Sequence, residues 1–166
     1  MSRIRIEIRN INLFLAAAMS LIFIIVDFAV WCAIGSPLFV LHFISDRVPV
    51  PPLWIFGLCD FLCFALLGLA LGALLGNAFP ARDVPKYRGA FYFTVGIVFN
   101  VVHHFLFFGG GRFLVALPLC LLSCFFLVIA VVDFFKVSSI ASISALLGIS
   151  WVLYLALLNL LTFFRT

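Results

Sequence analysis

Five long apolar runs dominate this chain: Ile11–Ile34, Pro51–Leu75, Tyr87–Phe108, Phe113–Phe135 and Ser139–Phe164. Each can cross about 30 Å of hydrocarbon as a helix, which takes about 20 residues. Between them stand breaks rich in polar residues, proline or glycine: "GSPLFVLHFISDRVPVPP", "GNAFPARDVPK", "GGGR" and "KVSS". In lipid, backbone N–H and C=O groups must pair within their own segment, so each run has to be a helix. The fold class that follows is an all-α integral membrane protein, one five-helix transmembrane bundle over residues 1–166. Composition closes off the soluble alternative. With 67% hydrophobic residues, 10% charged residues and 22 Phe, the chain has more apolar surface than 166 residues can hide from water.

The breaks after the second, third and fourth runs are short, so neighbouring helices should be antiparallel. The first connection is longer, and apolar enough to lie on the membrane surface or dip into it. Pro51 and Pro52 suit the start of the second helix, where a missing N–H costs little. "MSRIRIEIRNIN" has the positive flank of a signal peptide, but the run after it is too long for one and no small-residue cleavage site follows. It reads as a retained first span.

Arg3, Arg5, Arg9, Arg82, Lys86, Arg88 and Lys136 fall on one side of a five-span topology, and Arg47, Arg112 and Arg165 on the other. The positive-inside rule then places the N-terminus in the cytoplasm. The net charge of +4 does not point to nucleic acid, because the basic residues sit at segment ends and form no stripe with aromatics. The partner is the lipid bilayer.

Gly68, Gly72 and Gly76 recur every four residues on the second helix. Such a ridge lets another backbone approach closely. It serves either a contact within the bundle or a homodimer seam. Cys59/Cys63 and Cys120/Cys124 are spaced to share helix faces, but structural metal sites want more ligands, so they read as small packing residues and no metal is expected.

Ionisable groups in a span are costly and usually face a partner, a cavity or the interface. Asp133 and Lys136 sit at the end of the fourth helix, where interfacial solvation suffices. Asp27 lies deeper, one turn before Trp31, and reads equally as a kink or interface residue. Asp60 lies near the middle of the second helix, with Phe64 one turn on. On the third, Asn100, His103, His104 and Phe107 share one face by their spacing. A polar stripe of this kind lines a ligand cavity, forms a buried hydrogen-bond network, or serves a proton relay or metal. Adjacent His103 and His104 point about 100° apart, which makes a thin metal site.

The segment "VPPLWIFGLCDFLCF" resembles the TspO/MBR family (tryptophan-rich sensory protein, translocator protein, peripheral benzodiazepine receptor). Pro51, Pro52, Trp54, Phe56 and Gly57 match its pattern, while Asp60 stands at a Trp position and Phe64 at a Tyr position. "FNVVHHFLFFG" is similar to the family's third helix through Asn100, Phe107, Phe108 and Gly109, with His103 in place of a Trp. "LGISWVLYLALLN" keeps Trp151, Leu158 and Asn159, puts Tyr154 at a Phe position, and has Leu147-Gly148 where the family has Pro-Tyr. The C-terminal "LLNLLTFFRT" lacks the Tyr of the family's sterol motif.

The resemblance implies a receptor or transporter that binds a planar hydrophobic ligand, a tetrapyrrole or a sterol, in a cavity between helices. It implies a ligand site of Trp54, Asp60, Phe64, Asn100, His103, Phe107, Trp151, Tyr154 and Asn159, with no cofactor required and no catalytic residue. Porphyrin degradation, attributed to some bacterial members, would need cavity tryptophans that are Asp60 and His103 here. The membrane would be the bacterial cell membrane, or the mitochondrial outer membrane in a eukaryote. Two alternatives stay open: a proton-coupled small-molecule exporter using Asp60 and His103, and an assembly protein whose polar residues only join helices.

Overall fold

A computed structural model of the chain describes residues 11–35, 37–46, 48–77 and 83–165. Helix α1 spans Leu13–Ile34, α2 Pro37–Ser45, α3 Leu53–Leu75, α4 Asp83–His104, α5 Phe113–Val137 and α6 Ser139–Arg165. A π-helical turn, Phe105–Gly109, extends α4. The five long helices are each long and apolar enough to cross a membrane. Their limits lie within a few residues of the apolar runs. The short α2 occupies the long first connection. Of the charges behind the expected orientation, Arg3, Arg5, Arg9, Arg47 and Arg82 lie outside the described residues.

Helix starts follow from local chemistry. Asn12 caps α1, its side-chain oxygen accepting from the Leu15 N–H at 3.1 Å. Pro52 precedes the first residue of α3, and its carbonyl accepts from the Phe56 N–H at 3.0 Å. The main packing partners run in the order α1–α3–α6–α5–α4. Phe23 on α1 and Phe93 on α4, with ring centroids 6.3 Å apart, help close the ring. Side chains such as Phe14, Phe28, Phe91, Leu114 and Phe164 stay exposed on the outside, as lipid-facing residues do.

The glycine ridge is spent inside the bundle. A Cβ on Gly72 would lie 2.5 Å from the Ala16 Cα, and one on Gly68 would lie 2.6 Å from the Met19 carbonyl oxygen. A Cβ on Gly76 would come within 3.2 Å of Asn12. Of the two readings of these residues, the contact within the bundle is the one found: α1 lies directly on the ridge. Asn77 then ties the end of α3 to its neighbours, donating to the Val137 carbonyl at 3.3 Å and accepting from Lys86 Nζ at 2.9 Å.

Asp133 departs from its expected interfacial role. It is buried, and its carboxylate takes two hydrogen bonds from Arg88 at 2.7 Å and one from Lys136 at 2.9 Å. The planar guanidinium matches both carboxylate oxygens, so two cations rather than water neutralise this end of α5.

Candidate functional site

The interior polar residues gather around Asp60 at the middle of α3. Its side chain is fully buried, yet it has three donors or partners from three other helices. Trp31 on α1 donates its indole N–H to Oδ2 at 2.9 Å. Trp151 on α6 donates to Oδ1 at 2.8 Å. His104 on α4 brings Nε2 to 3.3 Å from Oδ2.

The other ring nitrogen of His104 fixes where the protons are. Nδ1 lies 2.8 Å from the Asn100 carbonyl oxygen, which can only accept, so Nδ1 carries a proton. If Nε2 were bare, it would face a carboxylate oxygen with no hydrogen between two acceptors. A second proton therefore lies between His104 and Asp60. Because Asp60 also accepts from two indoles, the arrangement fits an imidazolium against a carboxylate. Both charges are out of water, and the two indoles and the carbonyl satisfy the remaining valences, as a buried pair requires.

Aromatic rings wall this cluster. Phe56 sits edge-on to Trp31 and Trp151, with centroids at 6.4 and 5.1 Å. Phe108 lies 5.4 Å from Trp31 and 5.5 Å from His104. Phe64 meets the His104 ring edge-on at 5.9 Å.

The sequence-derived residues divide into three groups. Asp60, Phe64 and Trp151 belong to the cluster itself. Asn100, His103, Phe107 and Tyr154 stand at its margin: His103 stacks on Phe107 at 5.4 Å and lies edge-on to His104 at 5.5 Å, and Tyr154 stacks on Trp151 at 4.8 Å. The imidazole within reach of Asp60 is thus that of His104, with His103 turned toward Phe107. Both amide atoms of Asn100, both ring nitrogens of His103 and the Tyr154 hydroxyl are buried without a hydrogen-bond partner.

Trp54 and Asn159 lie apart. Trp54 is 71% exposed on the first turn of α3, a position suited to the membrane interface. Asn159 is fully buried, and in the amide orientation that satisfies both its atoms it donates to the Phe113 carbonyl at 3.1 Å and accepts from the Leu117 N–H at 3.0 Å. Its polar atoms are used on the backbone of α5. The sequence-derived site lacks Trp31 and leaves Asp27 between a kink and an interface residue. Asp27 is 4% exposed, and its carboxylate interacts with those of Asp60 and with His104. A signal was present: Asp27 and Trp31 are four apart, hence on one face of α1.

The pattern that defines the TspO/MBR family matches residues 48–164, well over half of the chain. The chain belongs to the TspO/MBR family. Its five membrane-spanning helices make it a multi-pass membrane protein. No curated protein matches the chain. Trp31 and Trp151 supply indole surface around Asp60.

Proposed function

We propose that this TspO/MBR protein is a membrane receptor or carrier for a planar hydrophobic ligand, a tetrapyrrole or a sterol, held between its helices. The observation that carries the reading is the group of polar atoms left without partners at Asn100, His103 and Tyr154. Each buried unsatisfied group costs about 1–3 kcal/mol, an expense that a ligand hydroxyl or carboxylate would relieve. Phe64, Phe107 and the stacked Trp151–Tyr154 pair supply apolar and aromatic walls, and such walls give most of the affinity of a small-molecule site. Asp60 orients Trp151, whose ring stacks on the ligand in this reading. Exchange of two family tryptophans for Asp60 and His103 favours binding over light-driven degradation, because a carboxylate and an imidazole hydrogen-bond more and stack less. The setting is a bacterial cell membrane, or a mitochondrial outer membrane in a eukaryote.

The test is a tryptophan-quenching titration with protoporphyrin and with cholesterol, on the wild type and on a variant carrying Asn100→Leu and His103→Phe. The expected result is affinity for one of the two ligands, weakened about tenfold or more in the variant, equivalent to at least 1.4 kcal/mol. Unchanged affinity in a folded variant rejects the site.

The carboxylate–imidazole pair supports a second reading, proton-coupled export, with His104 rather than His103 beside Asp60. Uptake into sealed vesicles that collapses with the pH gradient would favour export over equilibrium binding.

A further inference from the structure

On the outer side of the Asp60 cluster, α1 and α3 leave a groove of about 500 Å³. Ile24, Phe28, Trp31, Leu53, Gly57 and Phe61 line it, and Asp27 is the one ionisable residue among its described walls. Phe28, Leu53 and Phe61 are exposed on the lipid-facing surface, so the groove is reached sideways from the bilayer. Its size is that of a small-molecule site. Gly57 leaves it open: a Cβ built there meets nothing within 4 Å.

Asp27 gives the groove its chemistry. Its side chain is more than nine-tenths buried, and Oδ1 has no hydrogen-bond partner. The charged groups against it are Asp60 from α3 and His104 from α4. Two carboxylates and one imidazolium leave the cluster one positive charge short. Inside a membrane that deficit is met by a proton on Asp27 or by a cation brought to it. The walls accept an apolar body, and Asp27 accepts a positive head.

We propose that the groove between α1 and α3 binds a lipid-soluble amine, with the ammonium group held by Asp27 and the apolar body against Phe28, Leu53 and Phe61. The Trp31 ring, whose N–H is occupied by Asp60, adds an aromatic face for the cation. This site uses α1 and α3 and is independent of the Asn100–His103 margin, so either reading can fail alone.

The probes are pyrenemethylamine and its neutral counterpart pyrenemethanol, titrated against the protein in nanodiscs of zwitterionic phosphatidylcholine at neutral pH. Energy transfer from the protein's tryptophans to pyrene reports binding. The amine should bind about tenfold or more tightly than the alcohol, the separation expected for a desolvated charge pair over one neutral hydrogen bond. Asp27→Asn should erase that preference and leave the alcohol unaffected, while Asp27→Glu should keep it. Asp27→Asn keeps the shape of a side chain whose Oδ1 has no hydrogen-bond partner, so it should melt close to wild type. Gly57→Leu fills the groove without a backbone clash and should abolish binding of both probes. Equal binding of amine and alcohol to wild type overturns the proposal, as does an amine preference that survives Asp27→Asn or Gly57→Leu.

Discussion

Trp151 donates its indole N–H to Asp60 across 2.8 Å, joining α6 to α3 at a fully buried carboxylate. The carboxylate in turn gathers α1 through Trp31 and α4 through His104. One side chain therefore connects four of the five membrane helices. Such a charge is retained only because every contact is satisfied together.

Asp60→Ala should consequently be the most damaging single substitution in the interior. It strands two indole N–H groups and leaves the His104 charge unpaired, a loss of about 3–5 kcal/mol for breaking one side of a buried pair. Thermal unfolding in mild detergent would register it as a large drop in melting temperature. A melting point equal to that of wild type would mean that the cluster holds nothing together.

The coupling between Trp151 and Asp60 is measurable by a double-mutant cycle. Trp151→Phe keeps the ring and removes the donor, and Asp60→Asn keeps the shape and removes the charge. The cycle should return about 1.5–3 kcal/mol, the range of a hydrogen bond to a charged group. Additive effects would show that the 2.8 Å contact contributes no energy of its own.

The two histidines should behave oppositely despite being adjacent. His104→Phe removes the counter-charge of Asp60 and should destabilise by several kcal/mol, by about 3–5 if the pair is fully desolvated. His103→Phe exchanges two unpartnered ring nitrogens for carbon and preserves the stack on Phe107. In the ligand-free protein it should be neutral or stabilising, by up to about 1–3 kcal/mol. Parallel melting curves of the two variants provide the comparison, and similar losses in both would contradict the assignment of His104 as the partner.

Glycines along α3 should differ by position. Gly72→Leu drives a side chain into the Ala16 backbone, where the Cβ alone would sit at 2.5 Å. The α1 helix must move, at a cost of about 1–3 kcal/mol or more. Gly57→Ala meets open space and should stabilise by about 0.5–1 kcal/mol through helix propensity. Denaturation in sodium dodecyl sulfate would rank the two variants, and the reverse ranking would place α1 elsewhere.

Much of the architecture is legible in the sequence because hydrocarbon imposes one length and one secondary structure on each span. Pro52, Gly111 and Ser138 mark ends that the structure reproduces closely. Helix α2 is less legible, since its nine residues carry no span-length signal. Within the site, Asp60 and Trp151 stand out as a charge and an amphipathic ring in apolar surroundings, and both join the cluster. The choice between His103 and His104 is a question of rotation about the helix axis. Neighbouring residues differ by about 100°, and a sequence gives no absolute reference for that angle. Trp54 illustrates the same limit. Its position in the sequence fixes its place along α3 but not which side of the first turn carries it. Asp133 reads as interfacial because its partner Arg88 lies on another helix and at a distance in sequence that no spacing rule reaches.

The π-helical turn at Phe105–Gly109 has a consequence for chain length. A widened turn holds one residue more than an α-helical turn would over the same rise, so it is equivalent to a single insertion into α4. Phe107 and Phe108, consecutive in sequence, lie within that turn and are both packed in the interior. Removing one residue there would rewind the turn and swing one of those rings out toward lipid, while the segment up to His104 kept its phase. The length of this stretch, and not only its composition, decides whether the aromatic wall closes over Asp60.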